Sequence, residues 1–77
     1  MNADETIDTT GLLCPLPVLK ARKRLMALDP GQTLALIADD PAAQIDVPHF
    51  CNEQGHVLAQ VDQKDQARVF FITKGKS

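Results

Sequence analysis

The chain has 77 residues, with eight Lys or Arg against ten Asp or Glu, a formal net charge of −2, no Trp, no Tyr and three Phe. A chain of this length makes one domain with a small core, burying about 60–65% of its unfolded surface, which leaves little room for an enclosed active site. The acidic balance and the scarcity of aromatic residues argue against nucleic-acid binding as the main activity.

The opening segment, MNADETIDTT, is acidic and polar and lacks the apolar stretch of a signal peptide, and the longest uninterrupted apolar run, Leu34 to Ala38, is far too short to span a bilayer. The expectation is a soluble cytoplasmic protein with no membrane association. Residues 1–4 and 75–77 read as frayed ends of a single 1–77 domain without repeats or an internal linker. TIDTT is short, β-branched and alternating, which predicts a first strand from about Glu5 to Thr9, broken by Gly11.

The period changes after Cys14. Taken at 100° per residue from Val18, residues Ala21, Leu25 and Leu28 fall on one apolar stripe, while Lys20, Lys23 and Arg24 group on the far side; Arg22 lies between Val18 and Met26, with its stem expected to cover apolar surface. This is an amphipathic helix with a basic back, stopped by Asp29-Pro30-Gly31. QTLALIAD is a nearly continuous apolar run that suits an interior strand. Strand, helix and strand then form a βαβ unit with parallel strands. Asp39-Asp40-Pro41 offers a cap and a helix-starting proline, but Pro48 interrupts the helical pattern that follows. The expectation is a short turn over residues 41–45, then a helix capped by Asp46 and closed by Gly55. HVLAQV and ARVFFIT, joined by the polar DQKDQ, suit an antiparallel hairpin. The order is βαβαββ: an α+β, two-layer α/β sandwich in which two helices cover one face of a four-stranded mixed sheet.

Two cysteines, Cys14 and Cys51, are too few for a secreted disulfide scaffold, so a chemical role for a thiol is weighed. In GLLCPLPVLKARKRL, Cys14 stands where a helix begins. Proline is tolerated in a first helical turn, whose backbone donors have no partner. With Cys14 as cap, Pro15 takes the first helical position and Pro17 the third. Because a residue before proline avoids α geometry, the start alternatively falls at Leu16 or in a tight 3₁₀ turn. In either case the prolines stiffen the loop and keep the thiol presented. A helix N-terminus and neighbouring Lys or Arg lower a thiol's pKa, and both influences are expected at Cys14.

Plainer readings stand beside these. A free cysteine also serves as a small buried hydrophobe, the preferred reading for Cys51, which lies at apolar spacing from Val47 inside the second helix; a resolving or second carrier thiol is its alternative. Lys20, Arg22, Lys23 and Arg24 form either a solvated face or a partner-docking patch. Asp39, Asp40 and Asp46 read as helix caps. His49, Cys51 and His56 match no structural zinc spacing, so no metal site is expected.

Together, LLCPLPVLKARKRL, PGQTLALIADDPAAQIDVPHFCNEQGHVL and FFITKG resemble the TusA/SirA-like sulfur carrier family, marked by a C-P-x-P motif opening the first helix, with D-D-P-A and D-V-P-x-F-C downstream. The resemblance runs from about residue 6 to 75. It implies a βαβαββ sandwich and a sulfur relay in which Cys14 accepts a persulfide sulfur, Pro15 and Pro17 match the motif's prolines, and Cys51 matches a position often cysteine. It implies a protein donor, either a cysteine desulfurase or a rhodanese, and a protein acceptor, with no cofactor and with the chain as a monomer. Leu16 stands where members resembling the tRNA-thiolation carrier commonly have glutamate, so tRNA thiolation, molybdenum cofactor maturation and sulfur metabolism all remain open as destinations. The competing classes are an RNA- or protein-binding regulatory module with an incidental cysteine, and a two-cysteine redox protein.

Overall fold

Hydrophobic patterning and turn residues place six elements along the chain. The computed structural model describes residues 1–76; Ser77, within the tail expected to fray, lies outside them. The strands are β1 (Glu5–Asp8), β2 (Thr33–Ala38), β3 (Val57–Lys64) and β4 (Ala67–Thr73), and the helices are α1 (Leu16–Ala27) and α2 (Ala43–Gln54), in the order βαβαββ. The sheet order is β1-β2-β4-β3. β1 and β2 run parallel, with Ile7 opposite Leu36, and β4 is antiparallel to both β2 and β3, with Phe70 opposite Leu36 and Val61. Because β3 and β2 both oppose β4, β3 points along β2. Each helix therefore returns the chain between parallel strands, and α1 and α2 run in the same direction.

Alternation along the strands determines the layering. Leu34, Leu36 and Ala38 of β2 and Phe70 and Ile72 of β4 face the helices and pack with Ala21 and Leu25 of α1 and with Ala43, Val47, Phe50 and Cys51 of α2. The two helices thus cover one face, as the pattern predicts. β2 is buried along nearly its whole length, as its continuous apolar run requires of an interior strand. β3 is an edge strand and mostly exposed.

Two boundaries differ from expectation, each for a local reason, and a third falls on one of the alternatives left open by the sequence. α2 is one helix, with Pro48 inside it and Asp46 in its first turn, where a cap at Asp46 was expected. The start is formed upstream: Asp40 Oδ1 accepts from the Ala42 N–H at 3.1 Å and the Asp40 carbonyl accepts from Ala43 N–H at 3.0 Å. Pro48 removes the bond that residue 48 would make to the Gln44 carbonyl, and both residues are exposed, so water can take that acceptor. The hairpin also extends further than HVLAQV, because Asp62, Gln63 and Lys64 continue to pair with β4, and the turn narrows to Asp65 and Gln66. Asp65 adopts φ 55°, a left-handed conformation that Asp tolerates better than most residues. Finally, α1 begins at Leu16, the later of the starts weighed, with Pro15 at the cap position and Pro17 second in the helix.

The far end of the helix layer is closed by polar contacts. Gly55, at φ 75°, ends α2 in the left-handed conformation that glycine favours, as its position predicts. Lys74 Nζ donates to the Leu28 carbonyl at the C-terminal end of α1, a position where a cation offsets the helix dipole. At the chain ends, Asp4 N–H donates to the Thr33 carbonyl and Gly75 N–H to His56 Nδ1 at 3.0 Å. A Cβ on Gly75 would come within 1.7 Å of the Gly55 carbonyl oxygen, so only glycine fits that approach.

Two tests follow from this packing. Leu36 is fully buried between the layers, and Leu36→Ala should lower unfolding stability by roughly 2–5 kcal/mol in urea titration, the usual range for such cavities. Partial burial, then the charge of Lys74, holds the His56 pKa below its ordinary 6.5. The unfolded chain therefore binds the His56 proton more readily, and the corresponding stability, complete above pH 6.5, is lost as pH falls from there through the lower pKa of the folded protein. Thermal midpoints measured across pH 5 to 8 should show a steeper acid-side decline for the wild type than for His56→Asn.

Candidate functional site

Cys14 lies in the loop joining β1 to α1, and that loop is stitched to the loop leading into α2. Thr9, fully buried, donates through Oγ1 to the Ile37 carbonyl at 2.6 Å. Gly11 N–H donates to Asp39 Oδ1 at 3.0 Å, and Cys14 N–H donates to Asp40 Oδ2 at 2.7 Å. Leu16 N–H, the one amide the prolines leave near the thiol, donates to the Leu13 carbonyl at 2.9 Å. The Cys14–Pro15 peptide is cis. These bonds hold an exposed Cys14 at the mouth of α1, beside the first turns of α2.

A groove of about 210 Å³ opens at the thiol, lined by Cys14, Pro15 and Val18 on one side and by Asp46, His49, Phe50 and Glu53 of α2 on the other. Asp46 borders the groove together with the Cys14 thiol. His49 Nε2 pairs with Glu53 Oε1 at 3.2 Å along the same helix face. Leu13 and Ile45, the sequence neighbours of Cys14 and Asp46, are largely exposed, at 69% and 75%.

The electrostatics reverse one expectation. Hydrogen bonding to the Asp46 carboxylate, then removal from solvent, then the charges of Asp46 and Asp40 push the Cys14 thiol above its ordinary pKa. A thiol lowered by a helix mouth and by Lys or Arg is not what the fold provides. The helix starts one residue later than a Cys14 cap would need, its first amides are engaged or replaced by proline, and the acidic side chains at the sulfur are carboxylates rather than the expected cations.

The basic residues spread apart. Lys20 and Lys23 are exposed on the outer side of α1. Arg24 is paired with Glu5 of β1. Arg22 lines a second groove, of about 340 Å³, with Leu25, Met26, Gln54, His56 and Lys74, near the C-terminal ends of the helices and away from Cys14. Cys51 is buried in the core, where burial pushes its thiol up to about 11. Asp46, His49 and Glu53 were absent from the site expected from sequence. Their spacing, i, i+3 and i+7, is a one-face helical signal, masked because the sequence reading places Asp46 at the cap of the helix rather than on its face.

The arrangement is that of a two-layer α+β domain presenting one accessible thiol on a stiff loop, with its second thiol sealed in the core. A family profile described as Sulfurtransferase TusA matches residues 5–74, and the chain belongs to that family of sulfur carriers. Its structure is also similar to the crystal structure of the SirA-like protein from Desulfitobacterium hafniense, with TM-score 0.81 and 26% sequence identity over 94% of this chain and 99% of that chain. Among the described residues, no helix is long and apolar enough to cross a membrane.

Exposure makes a direct prediction. In the folded protein iodoacetamide should modify Cys14 faster than Cys51, as read by peptide mapping over time, because burial and the raised pKa both withhold the Cys51 thiolate. Equal rates would mean that the loop does not present Cys14.

Proposed function

We propose that this protein relays sulfane sulfur as a persulfide on Cys14. The observation that carries the reading is the contrast between the two thiols, Cys14 exposed in a groove at the α1 mouth and Cys51 enclosed by core side chains, in a chain of the TusA family. The donor is a protein persulfide of the desulfurase or rhodanese type. The Cys14 sulfur attacks its outer sulfur, and an acceptor thiolate later attacks Cys14–S–SH. The acceptor lies in tRNA thiolation, molybdenum cofactor maturation or sulfur metabolism, and Leu16, 44% exposed beside the thiol, presents it with an apolar contact. Pro15 and Pro17 keep the loop in place, and Lys20 and Lys23 steer an acidic partner toward the α1 face. A Cys14–Cys51 redox pair is disfavoured, because it requires a core thiol to leave its packing.

Intact-mass measurement after incubation with a cysteine desulfurase and cysteine should show a gain of one sulfur atom that dithiothreitol removes. The gain should vanish in Cys14→Ser and persist in Cys51→Ser. Loading of Cys14→Ser, or an internal disulfide as the sole product, would overturn the assignment.

A further inference from the structure

A thiol attacks a persulfide as its thiolate, so the Cys14 proton has to go somewhere as the reaction begins. The charged groups that face the sulfur are Asp46 of α2 and Asp40 of the loop before it, and His49 and Glu53 lie further along the same groove. Asp40 is already engaged, accepting from the Cys14 and Ala42 amides. Asp46 lines the same groove as the Cys14 sulfur and is the carboxylate that acts most strongly on that thiol. It also sits in the first turn of a twelve-residue helix, where a carboxylate is favoured by the helix dipole and carried on a rigid element.

We propose that Asp46 is a catalytic residue of sulfur loading, the general base that takes the Cys14 proton as the sulfur attacks an incoming persulfide. The proposal rests on the sulfur-relay reading above and adds to it the residue that moves the proton. In the step, the Cys14 S–H bond breaks and the proton passes to an Asp46 carboxylate oxygen. The sulfur's electron pair attacks the outer sulfur of a donor R–S–SH, a new S–S bond forms, and the bond between that outer sulfur and R–S breaks. R–S⁻ leaves and recovers the proton from Asp46. The products are Cys14–S–SH and R–SH, the carboxylate is restored, and no outside oxidant or reductant is consumed.

The same contact accounts for a thiol that is exposed yet not activated at rest. Held against a carboxylate, Cys14 stays protonated until a persulfide arrives, and protonation slows its oxidation, since susceptibility follows thiolate character.

The test compares wild type, Asp46→Asn and Asp46→Glu for sulfur uptake from glutathione persulfide, timed by intact mass, with iodoacetamide alkylation of Cys14 followed across pH on the same proteins. A general base predicts opposite movements in Asp46→Asn. Loading should slow by roughly 10²-fold, the scale of a lost acid–base group, while the alkylation profile moves to lower pH because the negative neighbour is gone. Asp46→Glu, which keeps a carboxylate, should recover part of the loading rate. Loading of Asp46→Asn at the wild-type rate or faster would overturn the proposal, leaving Asp46 as a brake on the thiolate. Slowing of loading and alkylation together would overturn it in favour of a loop-holding role. Failure of the wild type to take up any sulfur would instead sink the relay reading, and the base with it.

Discussion

Two adjacent aspartates hold the thiol-bearing end of this domain together. Asp39 and Asp40 close β2, and from that point their carboxylates reach back across the sheet edge to the amides of Gly11 and Cys14, while Asp40 also accepts from the Ala42 amide at the start of α2. Charge-assisted bonds of this kind are stronger than neutral ones, and here they replace the side-chain cap that neither helix has. The loop carrying the thiol and the turn launching α2 are therefore one hydrogen-bonded unit. The position of Cys14 relative to Asp46, His49 and Glu53 depends on that unit.

Pairing of β1 with β2 works to the same end. Parallel strands deliver both of their following loops to the same edge of the sheet, so a residue after β1 and a residue after β2 meet although they are distant in sequence. With α1 and α2 running in the same direction from that edge, the groove between their first turns forms without any insertion. A domain this small has little interior to enclose a pocket, and the shared edge of two loops is where its accessible thiol stands.

The elements whose signals are local were legible in the chain itself. The apolar stripe of α1, the continuous run of β2, the closing Gly55 and the alternation of β1 each report on their own surroundings, and their order sufficed for the layering. Pro48 misled because its cost depends on whether the freed carbonyl meets water, which local pattern does not reveal. The polar end of β3 was hidden because an edge strand does not need apolar alternation. The charge at Cys14 was the least legible feature. Nearby in sequence lie Lys20, Arg22 and Lys23, whereas nearby in space lie Asp40 and Asp46, 26 and 32 positions away. Sequence proximity pointed to cations and the fold supplied anions.

The irregularity in β3 has a bearing on how such a protein behaves in a crowded solution. Between Leu58 and Gln60 the pairing with β4 slips by one residue, so Ala59 stands outside the register on the strand that borders the sheet. A regular border offers a second sheet an even row of donors and acceptors to extend into a continuous ribbon. The slip at Ala59, with Asp62 and Lys64 further along, breaks that row and adds charge to it. A molecule whose work consists of brief encounters gains from a border that resists fibre-like stacking, since its accessible thiol edge then stays open to collisions with other proteins.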